Sequence, residues 1–584
     1  MYSRALVILA FIAPCLCNIY ENVADLPGLS YDFVIVGGGT AGNVVANRLT
    51  EDPKFSVLVL EAGVSNEGVT DSIVPFFVED LLAEPNIYEW KDLQAHILGG
   101  CSAHNGMVYT RGSAEDYDRF AAVTRDEGWS WNRLLPYFFK NEKWTEPVDH
   151  HDTRGQFDPS VHSTEGINAV SLAGFPWPVL SQHIIEGTKE LPDEWRFNLD
   201  MNSGKPLGLG WLQSTIGGGE RSTSATSYLG PEFIQRQNLH VLLHARVAKL
   251  VDSRHVDGKL TFGGVQFSQG GVLFTANAAK EIILSAGPVG TPAVLLHSGI
   301  GDKATLMGLG IPALLDLPSV GRNASDQPLI EAGWFVNSTQ TVESITQNVT
   351  RFNEAFAEWN RSHTGPFSTQ ATTHIAWLRL DAETLASNNF TDPSAGPNSP
   401  HIEVPFGPSA SVSEVPSGPG APASSDNGMS ARMIILNPVS RGSVTINSSN
   451  PFDSPIIDVG FFQSDIDLFT ARQAVHKLLK FMKAPTWQNY IIAPITNLEN
   501  LSDNALDEFI RNTARSAFHL VGTAAMSAKD ARYGVTDPDL LVKGAAGLRV
   551  IDASVMPFVP SAHTQAATYV IAERGADLVK EAWH

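Results

Sequence analysis

The chain opens on a pattern that alternates between two periods. Tyr31–Val36 is a short apolar run that leads into glycines, and Asn43–Leu49 carries helical spacing. Ser56–Leu60 is again a short apolar run, so the three predict a βαβ unit. Strand-like runs recur at His240–His244, Glu281–Ser285, Met433–Leu436 and Leu548–Ile551, and helical patterns at Asp467–Met482 and Ala566–Glu581. The alternation is clear at both ends and irregular in the middle. It predicts a nucleotide-binding domain assembled from separated segments, with a second domain inserted between them. From Pro405 to Gly428, 15 of 24 residues are Pro, Gly or Ser, which predicts a long surface loop. No repeat of solenoid or propeller spacing occurs.

The first 17 residues differ from the rest. Arg4 precedes an apolar stretch, Ala5–Cys17, with small residues near Cys17 suited to cleavage, so residues 1–17 are expected to be a secretory signal peptide. Two of the three cysteines, Cys15 and Cys17, fall in it, leaving Cys101 alone. A disulfide-stapled fold and a cysteine-type zinc site are therefore not expected. Seven Asn-x-Ser/Thr sequons, at Asn323, Asn337, Asn348, Asn360, Asn389, Asn447 and Asn500, suit a secreted glycoprotein. Composition narrows the partners. With 62 acidic against 40 basic residues the net charge is −22, which argues against nucleic acid and against a polybasic membrane contact.

The chemistry begins at Gly37-Gly38-Gly39-Thr40-Ala41-Gly42, a GxGxxG that follows a strand and opens a helix. Gly37 suits the tight turn, Gly39 the approach of a pyrophosphate at the helix N-terminus, and Gly42 the close packing of helix on sheet. Glu61 ends the second strand nineteen residues beyond Gly42. It can accept ribose hydroxyls and would repel a 2′-phosphate, so the cofactor is FAD or NAD.

Three further stretches choose between them: Leu60-Glu61-Ala62-Gly63, Gly287–Gly301, and Phe518–Thr523 through Pro560–Gln565. Together they resemble the glucose-methanol-choline (GMC) oxidoreductases over essentially the whole chain from Tyr31. The resemblance implies an α/β FAD-binding domain of Rossmann-like type built from residues 28–160, 220–325 and 510–584. It also implies an α+β substrate-binding domain from 161–219 and 326–509. His519 and His563 match the family's pair facing the flavin, with His519 as base and His563 as its partner, though the roles could be exchanged. Asp552 and Ala553 match its late FAD contacts, Thr564 and Gln565 follow His563, and Val247 joins the same set. His104, in Gly99–Gly112, matches the histidine that carries covalent FAD in some members; Asn105, Gly106 and Val108 line the same segment.

Phe157–His162, Asn198–Pro206, Ser362–Pro366 and Ser399–Glu403 resemble the fungal pyranose dehydrogenases, with aryl-alcohol oxidases the runner-up. The expected activity is oxidation of a sugar hydroxyl, with electrons passed to a quinone-type acceptor, by a secreted monomer. The alternatives are an alcohol oxidase that uses oxygen, a hydroxynitrile lyase and an inactive homologue. One departure stands out: between Trp90 and Gly99 the family usually carries a longer insert that helps cover FAD.

Overall fold

Ser30–Val36 is buried along its last four residues, as a strand covered on both faces must be. It pairs in parallel with Val57–Leu60 on one side and with Val272–Leu284 on the other. This is a computed structural model that describes residues 18–78, 88–89, 94–410 and 427–584. The expected signal peptide, residues 1–17, lies outside the described residues, as do Trp90–Leu93 of the shortened segment and 411–426 of the Pro/Gly/Ser stretch.

The parallel sheet runs in the order Ile19–Tyr20, Leu239–Leu242, Val57–Leu60, Ser30–Val36, Val272–Leu284. The last of these is long. Its C-terminal part also pairs in parallel with Leu548–Val550, and its N-terminal part turns back antiparallel onto Gly264–Gln269 and then Arg246–Val251. Strands more than 500 residues apart thus share one sheet. The helix Thr40–Leu49 leaves it at the glycine loop and is buried from Ala41 to Leu49. It packs on the C-terminal helix Thr564–Trp583. A buried ion pair joins the two: Arg48 Nη2 lies 2.7 Å from Glu573, which also accepts from the Tyr228 hydroxyl at 2.7 Å. Removing one partner of such a pair costs about 3–5 kcal/mol, because the other charge stays buried.

The second sheet is antiparallel, in the order Ile491–Pro494, Pro328–Val336, Gly428–Ile435, Ile402–Gly407, His374–Leu378, Gly208–Trp211, with Arg515–Ser516 also on Pro328–Val336. Ile402, Val404 and Phe406 pack with the helix Asp465–Phe481 on one face. The intervening Glu403 therefore points to the other face, beside Trp377, its register partner. That second face packs through Ile375, Trp377 and Ile434 on Val108, Met201 and Leu212.

Two expectations change at their ends. Pro405–Gly407 finishes a strand and Gly428 opens the next, so the expected loop is shorter at both ends than its composition implies. The alternation of Ile402, Val404 and Phe406 into the core outweighs the Pro and Gly content there. The first helix begins at Thr40, three residues before its apolar spacing.

Candidate functional site

Each glycine of the loop does a different job. Gly37 has φ +101°, and a Cβ there would lie 2.5 Å from the Ser285 carbonyl. A Cβ on Gly42 would lie 1.9 Å from the Gly37 carbonyl, so the helix could not sit where it does. At Gly39 the nearest obstacle is 3.7 Å away, so the chain itself leaves room beside this residue. Gly39 is also the helix N-cap and offers no side chain to the first-turn N–H groups. Room and unspent donors at a helix N-terminus fit a pyrophosphate. Glu61 is buried, and its two carboxylate oxygens accept the N–H groups of Gly38 and Gly63, each at 2.8 Å. Burial pushes its pKa up to about 7 against the pull of those bonds. A lone pair on each oxygen remains for ribose hydroxyls.

The segment Gly99–Ser102 presses directly on this loop. Gly99 donates to the Gly38 carbonyl at 2.8 Å, Ser102 N–H reaches Thr40 Oγ1 at 3.2 Å, and Ser224 Oγ bonds the Gly39 carbonyl. Within the described part of the shortened segment, His96–Leu98 runs beside Val64, and a Cβ on Gly63 would collide with His96. Val247 is half-buried two residues beyond Ala245, whose N–H bonds the Glu61 carbonyl.

Asp552, expected to contact FAD, has a structural duty. Its carboxylate accepts from Gly287 N–H at 2.9 Å, the Thr291 hydroxyl at 2.6 Å, and both the N–H and hydroxyl of Ser554. All four lone-pair sites are used. It therefore anchors the helix Gly287–His297, and any contact from this residue to a cofactor passes through its backbone.

Further along, Asn105 and Gln565 are brought into direct hydrogen bonding, and Gln565 also reaches Thr215 Oγ1 at 3.1 Å. Gly106 is exposed, Val108 buried. His104 is buried, and burial, aided by the Arg221 charge, lowers its pKa to about 3. It is a neutral imidazole at any working pH. Arg221 had no signal in the sequence. It is fully buried, donates to the Ser72 carbonyl and to both oxygens of Asn105, and thereby fixes the segment that carries His104.

The two histidines, forty-four residues apart in sequence, meet. His519 Nε2 lies 3.0 Å from His563 Nδ1, with the rings 77° apart. His519 Nδ1 lies 2.6 Å from Gln327 Oε1, and His563 Nε2 lies 2.7 Å from Glu403 Oε1. Counting protons along this row fixes its state. Gln327 spends its amide hydrogens on the carbonyls of Leu436 and Pro560, so its oxygen faces His519 and Nδ1 must be the N–H. Burial, then the neighbouring His563, pushes the His519 pKa well below 6.5, so the ring is neutral and Nε2 carries a lone pair. His563 Nδ1 must then donate to it. His563 Nε2 faces a carboxyl oxygen, so one further proton lies between His563 and Glu403.

The backbone holds this row in place. Asp326 accepts the N–H groups of Gln327 and His519, and Thr110 Oγ1 accepts His563 N–H at 3.0 Å. Phe518, beside His519, takes φ +60°, a conformation costing a bulky residue about 1–2 kcal/mol. His563 is the N-cap of Thr564–Trp583 and supplies no side-chain cap, so the positive end of a 20-residue helix opens beside the pair.

Residues 31–329 and 438–572 match the N- and C-terminal models of GMC oxidoreductase. The chain is 41% identical to a dehydrogenase, eriK, of Hericium erinaceus, over 99% of each chain. It is 39% identical to a pyranose dehydrogenase of Agaricus campestris, over 97% of this chain and 96% of that one. Among solved structures, a formate oxidase of Aspergillus oryzae, carrying a mutation studied for its effect on FAD modification, superimposes with TM-score 0.85 at 26% identity, covering 95% of this chain and 99% of that one. The protein belongs to the GMC oxidoreductase family, and its fold is the FAD-binding fold of that family.

Proposed function

We propose that this protein is a secreted FAD-dependent dehydrogenase that oxidises a pyranose hydroxyl to a carbonyl and passes the electrons to a quinone-type acceptor. The observation that carries the reading is the row Gln327–His519–His563–Glu403 beside an uncapped helix N-terminus. FAD, held by the Gly37–Gly42 loop, Glu61 and the Gly99–Val108 segment, supplies the hydride acceptor that no side chain offers. The named likeness to pyranose dehydrogenases over nearly the whole chain supports the substrate class.

The substrate hydroxyl enters between His519 Nε2 and His563 Nδ1 and replaces their direct bond. It donates to the lone pair on Nε2 and accepts from Nδ1–H. As the hydride leaves carbon, His519 takes the hydroxyl proton, and His563 Nδ1–H, backed by the proton shared with Glu403, faces the negative charge developing on oxygen. Gln327 prevents His519 from presenting the wrong tautomer. Neutral, buried His104 suits covalent attachment of the flavin.

Secretion rests on residues 1–17 and on the sequons. Six of the seven asparagines are exposed. Asn323 is not, for its amide donates to Pro557 and accepts from Arg441. Turnover with a pyranose and benzoquinone, without peroxide, tests the function. Peroxide formed with benzylic alcohols in its place supports the oxidase reading.

A further inference from the structure

Behind the segment Tyr109–Arg111 lies a second polar cluster, made of four buried charged side chains. Arg111 Nη2 is 2.6 Å from Glu142 Oε2, and His162 Nδ1 is 2.7 Å from Glu142 Oε1. His162 Nε2 is 2.7 Å from Asp200 Oδ2. All four side chains are no more than 2% exposed. The imidazole lies tilted against Trp144, with ring centroids 4.1 Å apart and the planes 36° from parallel. Two stretches noted only for their resemblance, Phe157–His162 and Asn198–Pro206, meet here.

The donor count is decisive. Both nitrogens of His162 face oxygens of carboxylates, which only accept. A neutral imidazole has one N–H, so one contact would set lone pair against lone pair. With both carboxyl groups ionised, both nitrogens therefore carry hydrogen, and His162 is an imidazolium. Two carboxylates, one guanidinium and one imidazolium then sum to zero. Without the His162 proton the buried cluster is left with one net negative charge, which is costly away from water.

The cluster grips the segment beside it from several sides. Asn202 Oδ1 accepts Arg111 N–H at 2.6 Å, Asn202 Nδ2 donates to the Tyr109 carbonyl, and Asp200 caps Asn202 N–H. Gln213 donates to Asp200 through its amide and accepts Tyr109 N–H on its backbone. Between Tyr109 and Arg111 sits Thr110, whose hydroxyl oxygen accepts the backbone N–H of His563.

We infer that protonated His162 is a positioning residue: it keeps this cluster neutral, the cluster fixes Tyr109–Arg111, and Thr110 in that segment fixes His563. Loss of the His162 proton at alkaline pH loosens the segment, giving the enzyme an alkaline limit set away from the reacting atoms. The link to catalysis rests on the function proposed for His563; the link to structure does not. The charged and titratable groups facing the imidazole are Glu142, Asp200 and Asp158, with Arg111 and Tyr109 behind Glu142. Burial pulls the His162 pKa down, and the bonds to Asp200 and Glu142 more than reverse this, leaving it above 6.5. The stabilisation is therefore complete below pH 6.5 and is lost as pH rises through the higher folded value.

The test is amide hydrogen exchange of residues 107–111 in the flavin-loaded full chain, from pH 6 to 10, corrected for intrinsic rates. It needs no substrate, so its outcome is separate from that of the proposed function. In the wild type, opening of this segment should rise by up to about tenfold per pH unit above the His162 pKa, since one proton is linked. His162→Gln should show faster exchange already at pH 6 and no such rise. His162→Gln with Asp200→Asn, which restores charge balance, should recover slow exchange and be flat with pH. Flavin reduction rates should follow the same three profiles. Parallel profiles for wild type and His162→Gln would overturn the inference. So would a ring titration of His162, followed by NMR in the wild-type protein, at or below pH 6.5, and that measurement serves if the variants do not fold.

Discussion

Glu403 carries the most specific consequence of the proton count. Glutamine in its place is neutral and can donate its own N–H to His563 Nε2, so the extra proton is no longer needed. A charge-assisted hydrogen bond contributes about 1.5–3 kcal/mol, so Glu403→Gln should slow flavin reduction by roughly 10–100-fold. Unchanged reduction would show that the proton held with His563 has no part in the reaction. His519 sets the pH dependence. Burial favours the neutral ring, so its folded pKa lies below 6.5. The acid limb of the kcat/KM profile should therefore fall below pH 6.5, the base remaining free through mildly acid solution. A limb at or above 6.5 would move the proton acceptor elsewhere. Of these side chains the histidines were legible in the sequence from their motif. Glu403 offered a fainter sign, a charge between Ile402 and Val404 in an apolar strand. Gln327 offered none, because its importance comes only from the carbonyls of Leu436 and Pro560 that orient it.

At the scale of elements, the glycine loop makes the sharpest prediction. Gly42→Ala would place a methyl 1.9 Å from the Gly37 carbonyl, so helix and loop must separate. Flavin-free protein, or a lowered unfolding midpoint, is the expected result on purification; full flavin content with unaltered stability would contradict this packing. The loop, its helix and Glu61 were readable because the contacts are local and the glycines are required by backbone geometry. The surroundings were not. Gly99–Ser102 lies on the loop through non-local backbone bonds, and the Asp552 side chain is spent on Gly287, Thr291 and Ser554. The Pro405–Gly428 composition misled at both ends, since strand pairing decided where the sheet stops.

Across the whole molecule, Leu548–Val550 joins a sheet whose first strands lie more than 500 residues earlier, and the Arg48–Glu573 pair fastens the first helix to the last. The histidine row likewise joins Gln327 and Glu403 of the second sheet region to His519 and His563 of the C-terminal region. No stretch of sequence holds the site alone. The covalent tether belongs to this scale too. Acid-precipitated wild-type protein should keep its yellow colour in the pellet, and His104→Ala should release it to the supernatant while retaining the fold. A colourless wild-type pellet would show that the flavin is held without a bond.

The central claim is tested most directly by anaerobic mixing of the flavin-loaded protein with excess pyranose, following the visible flavin band. The account predicts that the band bleaches in the wild type and that His519→Ala slows bleaching by roughly 10²–10⁴-fold. A band that pyranoses leave unchanged while benzylic alcohols bleach it would contradict the substrate class. A band that no alcohol bleaches would contradict the redox function itself.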